Sequence, residues 1–269
     1  MNAISDTELT QFQRFIHEAA GISLSTAKKA LVSARLGKRL AHFQLDSFGA
    51  YMALLRSGQH PQEVQTAVDL LTTNETYFFR EIKHFEFLRQ WVLRRGPCTQ
   101  PLRVWSAASS SGEEAYSIAM VLADLLPSAP WEVVGTDIST RMLQHARRAL
   151  YPLERARHVP QDYLHRFCRK GQQEYSGMLL VDRRLRERVH FVHANLNAPL
   201  PELGVFDIIF LRNVMIYFDL PTKQQVVARV LQRLAPQGYF LVGHSESLND
   251  VSAEVVQQAP ATYRRAGAP

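Results

Sequence analysis

The 269-residue chain contains only two cysteines, Cys98 and Cys168. They lie far apart and form no C-x-x-C pair, which gives no support to a disulfide framework or a zinc site and fits a reducing compartment. No segment approaches the roughly 20 apolar residues of a membrane-spanning helix, so no membrane insertion is expected. The opening stretch shows neither a basic n-region nor an apolar h-region, and a cytoplasmic protein is expected. Internal repeats and low-complexity tracts are absent. The ten histidines are scattered; His190 and His193 share an apolar run without a partnering ligand set, and no metal is expected.

What is present suits a globular protein: hydrophobic residues make up 46% of the chain, enough for a buried core. The net charge of +6 favours acidic partners without choosing among nucleic acid, lipid and protein. Part of the excess is local. Between Glu18 and Asp46 there is no acidic residue, while Lys28, Arg35, Lys38 and Arg39 fall on one face of an expected helix over 26–42.

The first 70 or so residues read as helices. Ser5 and Glu8 have capping-box spacing; Leu9, Phe12, Phe15, Ile16 and Ala19 then recur at helical period until Gly21. Val32, Leu36, Leu40 and Phe43 give the next helix its inner stripe, and shorter helices are expected over 48–55 and 62–71. A further helix is expected over 80–95, ended by Gly96 and Pro97. Strand-length apolar runs follow, over 102–105, 132–135, 189–193, 206–211 and 239–243, alternating with helical stretches. This pattern predicts a mostly parallel sheet with helices on both faces. The connection over 151–188 is over-long; a helix over 161–169, a Lys170-Gly171 turn and a strand-like stretch over 178–185 suggest a small insertion.

The first strand-to-helix turn reads Ser106-Ala107-Ala108-Ser109-Ser110-Ser111-Gly112-Glu113-Glu114, and the second strand ends in Asp137. Small residues at a strand's carboxyl end, with an acid at the end of the next strand to hold ribose hydroxyls, suit an adenosine-containing ligand. The turn is not a dinucleotide fingerprint, because it has one glycine where G-x-G-x-x-G has three. Glu113 and Glu114 would repel a pyrophosphate but tolerate a ligand bearing an ammonium and a sulfonium; alternatively they complement the helix dipole. Asn195 either meets an adenine edge or closes an Asn-Leu-Asn turn. Arg212 and Asn213, directly after an apolar strand, suit a pocket floor, and Tyr217 either orients a substrate or is simply half-buried.

The segments Thr72-Thr73-Asn74-Glu75-Thr76-Tyr77-Phe78-Phe79-Arg80-Glu81, Arg103-Val104-Trp105-Ser106-Ala107-Ala108 with Gly112-Glu113-Glu114, and Arg212-Asn213-Val214-Met215-Ile216-Tyr217-Phe218 resemble the CheR family of chemotaxis receptor methyltransferases. The likeness runs on through Gly243-His244-Ser245-Glu246 to Thr262-Tyr263-Arg264. It implies an α/β fold: a Rossmann-like class I methyltransferase domain over 73–269 with a small inserted β-subdomain at about 165–190, preceded by an all-helical domain over 1–72. It implies S-adenosylmethionine as methyl donor, S-adenosylhomocysteine as product, and no metal. Cofactor contacts are implied at Asn74, Thr76, Arg80, Glu113, Asp137, Asn195, Leu196, Arg212 and Asn213, with Arg80 and Tyr217 flanking the transferred methyl. The implied substrates are glutamates on the cytoplasmic helical domains of chemotaxis receptors; the basic face of Lys28, Arg35, Lys38 and Arg39 either docks on their acidic surface or is simply a solvated face. In some relatives the inserted subdomain also grips a receptor C-terminal peptide by strand addition. The family commonly has proline where Ala115 stands.

Rival readings have less support. A nucleic-acid methyltransferase lacks an Asn-Pro-Pro-Tyr-type turn and basic stretches interleaved with aromatics, so no nucleic-acid partner is expected. A hydrolase would need a complete G-x-S-x-G elbow, and the segment from Gly243 to Ser247 ends in serine. A non-catalytic binding module would take up the cofactor yet release no demethylated product.

Overall fold

The computed structural model describes residues 3–96 and 100–267; Pro97 and Cys98 of the sequence reading lie outside the described residues. Four helices build the N-terminal unit: α1 (Asp6–Ala20), α2 (Lys29–His42), α3 (Phe48–Arg56) and α4 (Pro61–Leu71). The capping box forms, with Ser5 accepting the Glu8 N–H and Glu8 accepting the Ser5 N–H, and Gly21 ends α1 at φ 71°. Leu9, Phe12 and Ile16 join Val32, Leu36, Tyr51 and Leu55 in one buried cluster.

On α2 the structure corrects the expected free basic face. Arg39 donates to both carboxylate oxygens of Glu63, at 2.7 and 2.6 Å, and Tyr51 donates to the same carboxylate. Arg35 donates to the carbonyls of Leu71 and Thr72 at the end of α4, at 3.4 and 2.9 Å. Only Lys28 and Lys38 of the four expected docking residues are fully exposed. Arg35 and Arg39 bind helix ends and buried acids because the bundle offers them acceptors that water-exposed lysines do not reach.

The second unit follows α5 (Lys83–Arg95). Its elements are β1 (Leu102–Ser106), α6 (Glu113–Leu125), β2 (Trp131–Asp137), α7 (Thr140–Arg148), β3 (Leu150–Pro152), α8 (Gln161–Phe167), β4 (Cys168–Lys170), β5 (Met178–Val181), α9 (Arg183–Arg186), β6 (Val189–His193), β7 (Phe206–Leu211), α10 (Leu220–Leu231), β8 (Leu234–Val242), β9 (Val255–Ala259) and β10 (Thr262–Arg265). The main sheet has the order β6-β2-β1-β7-β8-β10-β9. The first five strands are parallel and the last two antiparallel. One face carries α5, α6 and the insertion, the other α10, giving two separate apolar clusters.

Several boundaries move for physical reasons. The helix expected from Arg80 begins at Lys83, because Phe79 and Glu81 adopt left-handed φ of 56° and 59°. The insertion starts earlier than residue 165: its antiparallel sheet, β3-β5-β4, opens at Leu150. The strand expected over 178–185 stops at Val181, where the Asp182 side chain accepts the Arg184 N–H and starts the single turn α9. Among the described residues, no helix is long and apolar enough to cross a membrane.

Replacing Arg39 by alanine strands the buried Glu63 carboxylate. The expected cost is about 3 kcal/mol, read as a lower urea midpoint with an unchanged m-value; an unmoved midpoint would show that the pair carries no stability.

Candidate functional site

A cleft of about 850 Å³, open to solvent, lies over the carboxyl ends of β1, β2 and β7. This is where parallel α/β sheets receive ligands, since strand ends and helix starts converge there without their own side chains filling the space. Nine of the ten expected site residues line it: Asn74, Thr76, Arg80, Asp137, Asn195, Leu196, Arg212, Asn213 and Tyr217. Glu113 does not. Its carboxylate, 1% exposed, turns away to accept from Ser111 at 2.6 Å and from Arg155 of the insertion at 3.1 Å. Burial raises its pKa against these donors. Its neighbour Glu114 lines the cleft instead.

The β1–α6 turn leaves few donors for a phosphate. Ala107 N–H donates to the Phe210 carbonyl, Ser109 N–H to Thr136, Gly112 N–H to Ser109, and Ser110 N–H to the Asp137 carboxylate. A pyrophosphate site requires such groups free. Gly112 is required here on two counts. Its φ is 95°, and a Cβ would stand 2.8 Å from the Ala146 Cβ.

Asp137 is buried, and each oxygen accepts one backbone N–H, from Ser110 and Ser139, both at 2.8 Å. Burial raises its pKa to about 6, opposed by those two hydrogen bonds. A carboxylate oxygen accepts more than one donor, so hydroxyls of a bound ribose have room. Asn195 lies at the cleft with its side chain already engaged: Nδ2 donates to the Ala19 carbonyl at 2.7 Å and Oδ1 accepts the Asn197 N–H at 2.9 Å. These bonds tie α1 to the catalytic sheet and leave one N–H and one lone pair of the amide uncommitted. The buried Leu196 gives an apolar wall. Asn74 and Thr76 shape the near side through their backbones, accepting from Ser110 Oγ and Arg155 respectively.

Beneath the floor lies an ionic network that the sequence reading did not assemble. The Arg212 guanidinium donates to Glu114 at 2.6 Å, to Glu81 at 2.9 Å and to the Arg80 carbonyl at 2.5 Å. Glu81 also accepts from Asn213 Nδ2 at 3.1 Å and from the His244 N–H at 3.1 Å. Burial pushes the Glu81 pKa up, but the Asn213 and Arg212 donors outweigh it and bring it down to about 2. Burial dominates at Glu114, whose pKa is raised despite Arg212. Glu81, His84 and His244 cluster as metal ligands would, yet the Glu81 carboxylate already faces a cation in Arg212.

Glu246 completes the floor. Its carboxylate accepts four backbone N–H groups, from Asn213 and Gly243 at 2.7 Å, Met215 at 2.8 Å and Ile216 at 3.3 Å. It clamps the turn that begins with Asn213 at φ 55° and ends with Tyr217. Sequence reasoning quoted Glu81 and Glu246 only as letters of motifs; a carboxylate that organises main-chain donors leaves no periodicity to find. The helical unit supplies the remaining wall through Ala20 and Ile22. Ile22 bridges to Phe218, and Ser23 N–H donates to the Tyr217 carbonyl at 2.7 Å. Gly21 permits this approach, since a Cβ there would lie 2.6 Å from Thr222 Cγ2.

If Glu246 holds the turn, Glu246→Gln presents an NH₂ to N–H donors and loosens it. Amide exchange at Asn213, Met215 and Ile216 is expected to accelerate at least about tenfold, with β1 amides unchanged; equal rates in both proteins would remove the clamp.

The comparisons with known proteins fit this geometry. Residues 7–72 match the family model described as the CheR methyltransferase all-alpha domain, and residues 74–264 match its SAM binding domain. The chain is 40% identical to the chemotaxis protein methyltransferase of Escherichia coli K12, covering 97% of this chain and 91% of that one. It is 42% identical to chemotaxis protein methyltransferase 2 of Pseudomonas aeruginosa PAO1, covering 89% of this chain and 86% of the relative. A cleft with four of its turn amides consumed, acids along its wall and both domains matched over nearly the whole length lead to one conclusion: the chain belongs to the CheR methyltransferase family and is an S-adenosylmethionine-dependent methyltransferase.

Proposed function

We propose that this chain, acting in the cytoplasm, methylates glutamate side chains on the cytoplasmic helical domains of chemotaxis receptors, forming γ-methyl esters. The observation that carries the reading is the placement of Arg80 and Tyr217 on one cleft with Asp137 and Glu114. Bound S-adenosylmethionine supplies an activated methyl on a sulfonium. Asp137 would hold the ribose, Leu196 the apolar adenine surface, and Glu114 with nearby carbonyls the cationic end.

The protein's own task is modest. A glutamate side chain has a reference pKa of about 4.3, so the attacking carboxylate is already ionised at neutral pH and no general base is needed. What remains is alignment and the exclusion of water, an orientation effect that can supply several kcal/mol. Arg80 is suited to attract the anionic side chain. Its guanidinium donates to the Glu75 carbonyl at 2.8 Å and packs 5.9 Å from the Tyr77 ring centroid, so it is anchored rather than free to collapse onto the nucleophile. That anchoring matters, because a full salt bridge to the attacking oxygen would blunt its nucleophilicity. The Tyr217 hydroxyl makes no hydrogen bond within the described residues and is available to shape the approach. Lys38 of α2 and Lys28 in the turn just before it remain exposed for receptor contact. A receptor C-terminal peptide could extend the small β3-β5-β4 sheet, whose outer strands β3 and β4 each pair on one side only.

The test is transfer of labelled methyl to a soluble receptor cytoplasmic domain. A base-labile label on glutamate is expected, and Arg80→Ala should lower turnover at saturating substrate at least about tenfold. A label on nucleic acid or on no receptor would overturn the reading; full turnover in Arg80→Ala would remove that residue's role.

The Asp137 pKa sets a pH signature. Ribose hydroxyls donate more strongly to the ionised form, so binding is strong above about 6 and weakens as pH falls through that value, with proton release near it. Calorimetry of S-adenosylhomocysteine binding from pH 5 to 8 should show this dependence, and Asp137→Asn should abolish it while weakening affinity. Affinity flat across that range in the wild type would exclude Asp137 as the ribose acceptor.

A further inference from the structure

We propose that the outward stripe of α7, formed by Arg141, His145 and Arg148, is a second docking surface for the acidic face of the helical protein substrate. It would carry the contact from the helical domain onto the catalytic domain beside the cleft. The inference rests on the reading above that the substrate presents glutamates, and it adds where on the enzyme that surface lies.

Between Asp137 and Glu154 there is no acidic residue, so α7 and its continuation, like the segment spanning α2, carry basic side chains without acids beside them in sequence. Met142, Leu143 and Ala146 are buried, while Arg141, His145 and Arg148 are exposed. Positions i, i+4 and i+7 share one helix face. The fourth basic residue, Arg147, faces elsewhere and donates to the Phe191 carbonyl at 2.8 Å.

These side chains have no partners of their own. Neither Arg141 nor Arg148 makes an ion pair or side-chain hydrogen bond among the described residues. The nearby insertion differs: Arg166 pairs with Asp124, Arg169 and Arg184 with Asp182, and Arg183 with Glu187. Local stability does not explain Arg141 either. It sits in the first turn of α7, where the positive end of the helix dipole disfavours a cation. The α4 residue Asp69 offsets that end by accepting the Thr140 and Arg141 N–H groups, both at 3.1 Å.

Position supplies the functional link. The helix starts three residues after Asp137, and Asp137 and Ile138 line the cleft. Its first residues are fastened to α4, so the stripe begins at the seam between the two domains. Arg35 of α2 lies within electrostatic reach of both Arg141 and Tyr217; burial and then the Arg141 charge lower its pKa. The two acid-free segments therefore converge beside the residue proposed to flank the methyl.

The occupant follows from chemistry. Arg141 and Arg148 are one heptad apart, about 10.5 Å along the axis, which matches carboxylates one heptad apart on a partner helix. A region bearing several target glutamates is acidic by composition, and opposite charge steers and orients such an encounter. Single-stranded nucleic acid would call for stacking aromatics and a lipid surface for apolar residues. The outward face of α7 offers Arg141, Gln144, His145 and Arg148, with neither.

The double reversal Arg141→Glu/Arg148→Glu in the full chain tests this, against a soluble receptor cytoplasmic domain. KM for the receptor is expected to rise at least about tenfold at 50 mM salt and much less at 500 mM, as screening predicts. The kcat and the affinity for S-adenosylhomocysteine should stay within about twofold, and Arg141→Lys/Arg148→Lys should retain the wild-type KM. An unchanged receptor KM in the reversal overturns the proposal. So does a KM change matched by lost cofactor affinity, or an effect confined to binding of duplex DNA or phosphatidylserine vesicles. A wild-type enzyme that labels no receptor domain sinks the underlying reading instead, which keeps the two failures apart.

Discussion

The catalytic end of this molecule hangs on one buried cation. Arg212 follows an apolar strand whose residues are almost wholly buried, and a guanidinium in that position is tolerable only if its charge is met. Its two terminal nitrogens donate to Glu114 from the first helix of the sheet domain, to Glu81, and to the Arg80 carbonyl from the link between domains, while its Nε lies buried with no hydrogen-bond partner. The same contacts force the link into left-handed turns at Phe79 and Glu81. Arg80, whose side chain faces the cleft, is thus fixed by what its own carbonyl and its neighbour's carboxylate bind.

A second constraint explains the choice of ligand. The β1–α6 turn satisfies four of its amides internally, most tellingly by giving the Ser110 N–H to Asp137. In dinucleotide folds the corresponding donors meet an anion from the ligand. Here the protein provides the anion itself, so the space beyond suits a neutral ribose and a positively charged tail. The acids of this wall make the pocket electrostatically opposite to a phosphate cradle built on the same strand–turn–helix geometry.

Periodicity made the scaffold legible. The capping box at Ser5, the helical stripes and the five parallel strands are local patterns in which hydrophobic spacing and conformation agree. The β9–β10 hairpin was missed because β9 carries an exposed face, with Gln257 and Gln258 beside Val256 on an edge. The helix expected from Arg80 was set too early because long-range ionic contacts override propensity. Motif likeness brought nine site residues to one cleft but placed Glu113 there as well; consecutive glutamates on a helix point about 100° apart, and only Glu114 faces the ligand side. Arg35 and Arg39 had the right spacing for a docking face, but which arginines find internal acceptors depends on the tertiary arrangement.

The Asn195–Ala19 hydrogen bond and the close seat of Gly21 against Thr222 have an evolutionary corollary. The wall of the cofactor chamber is shared property of two modules, so neither can be traded among relatives as an independent cassette. A hybrid that joins a foreign helical module to this sheet would need to bring the segment around residues 19–23 already matched to the loops after β6 and β7. Divergence in receptor preference is therefore channelled to surfaces away from that seam, where side chains change without reshaping the chamber.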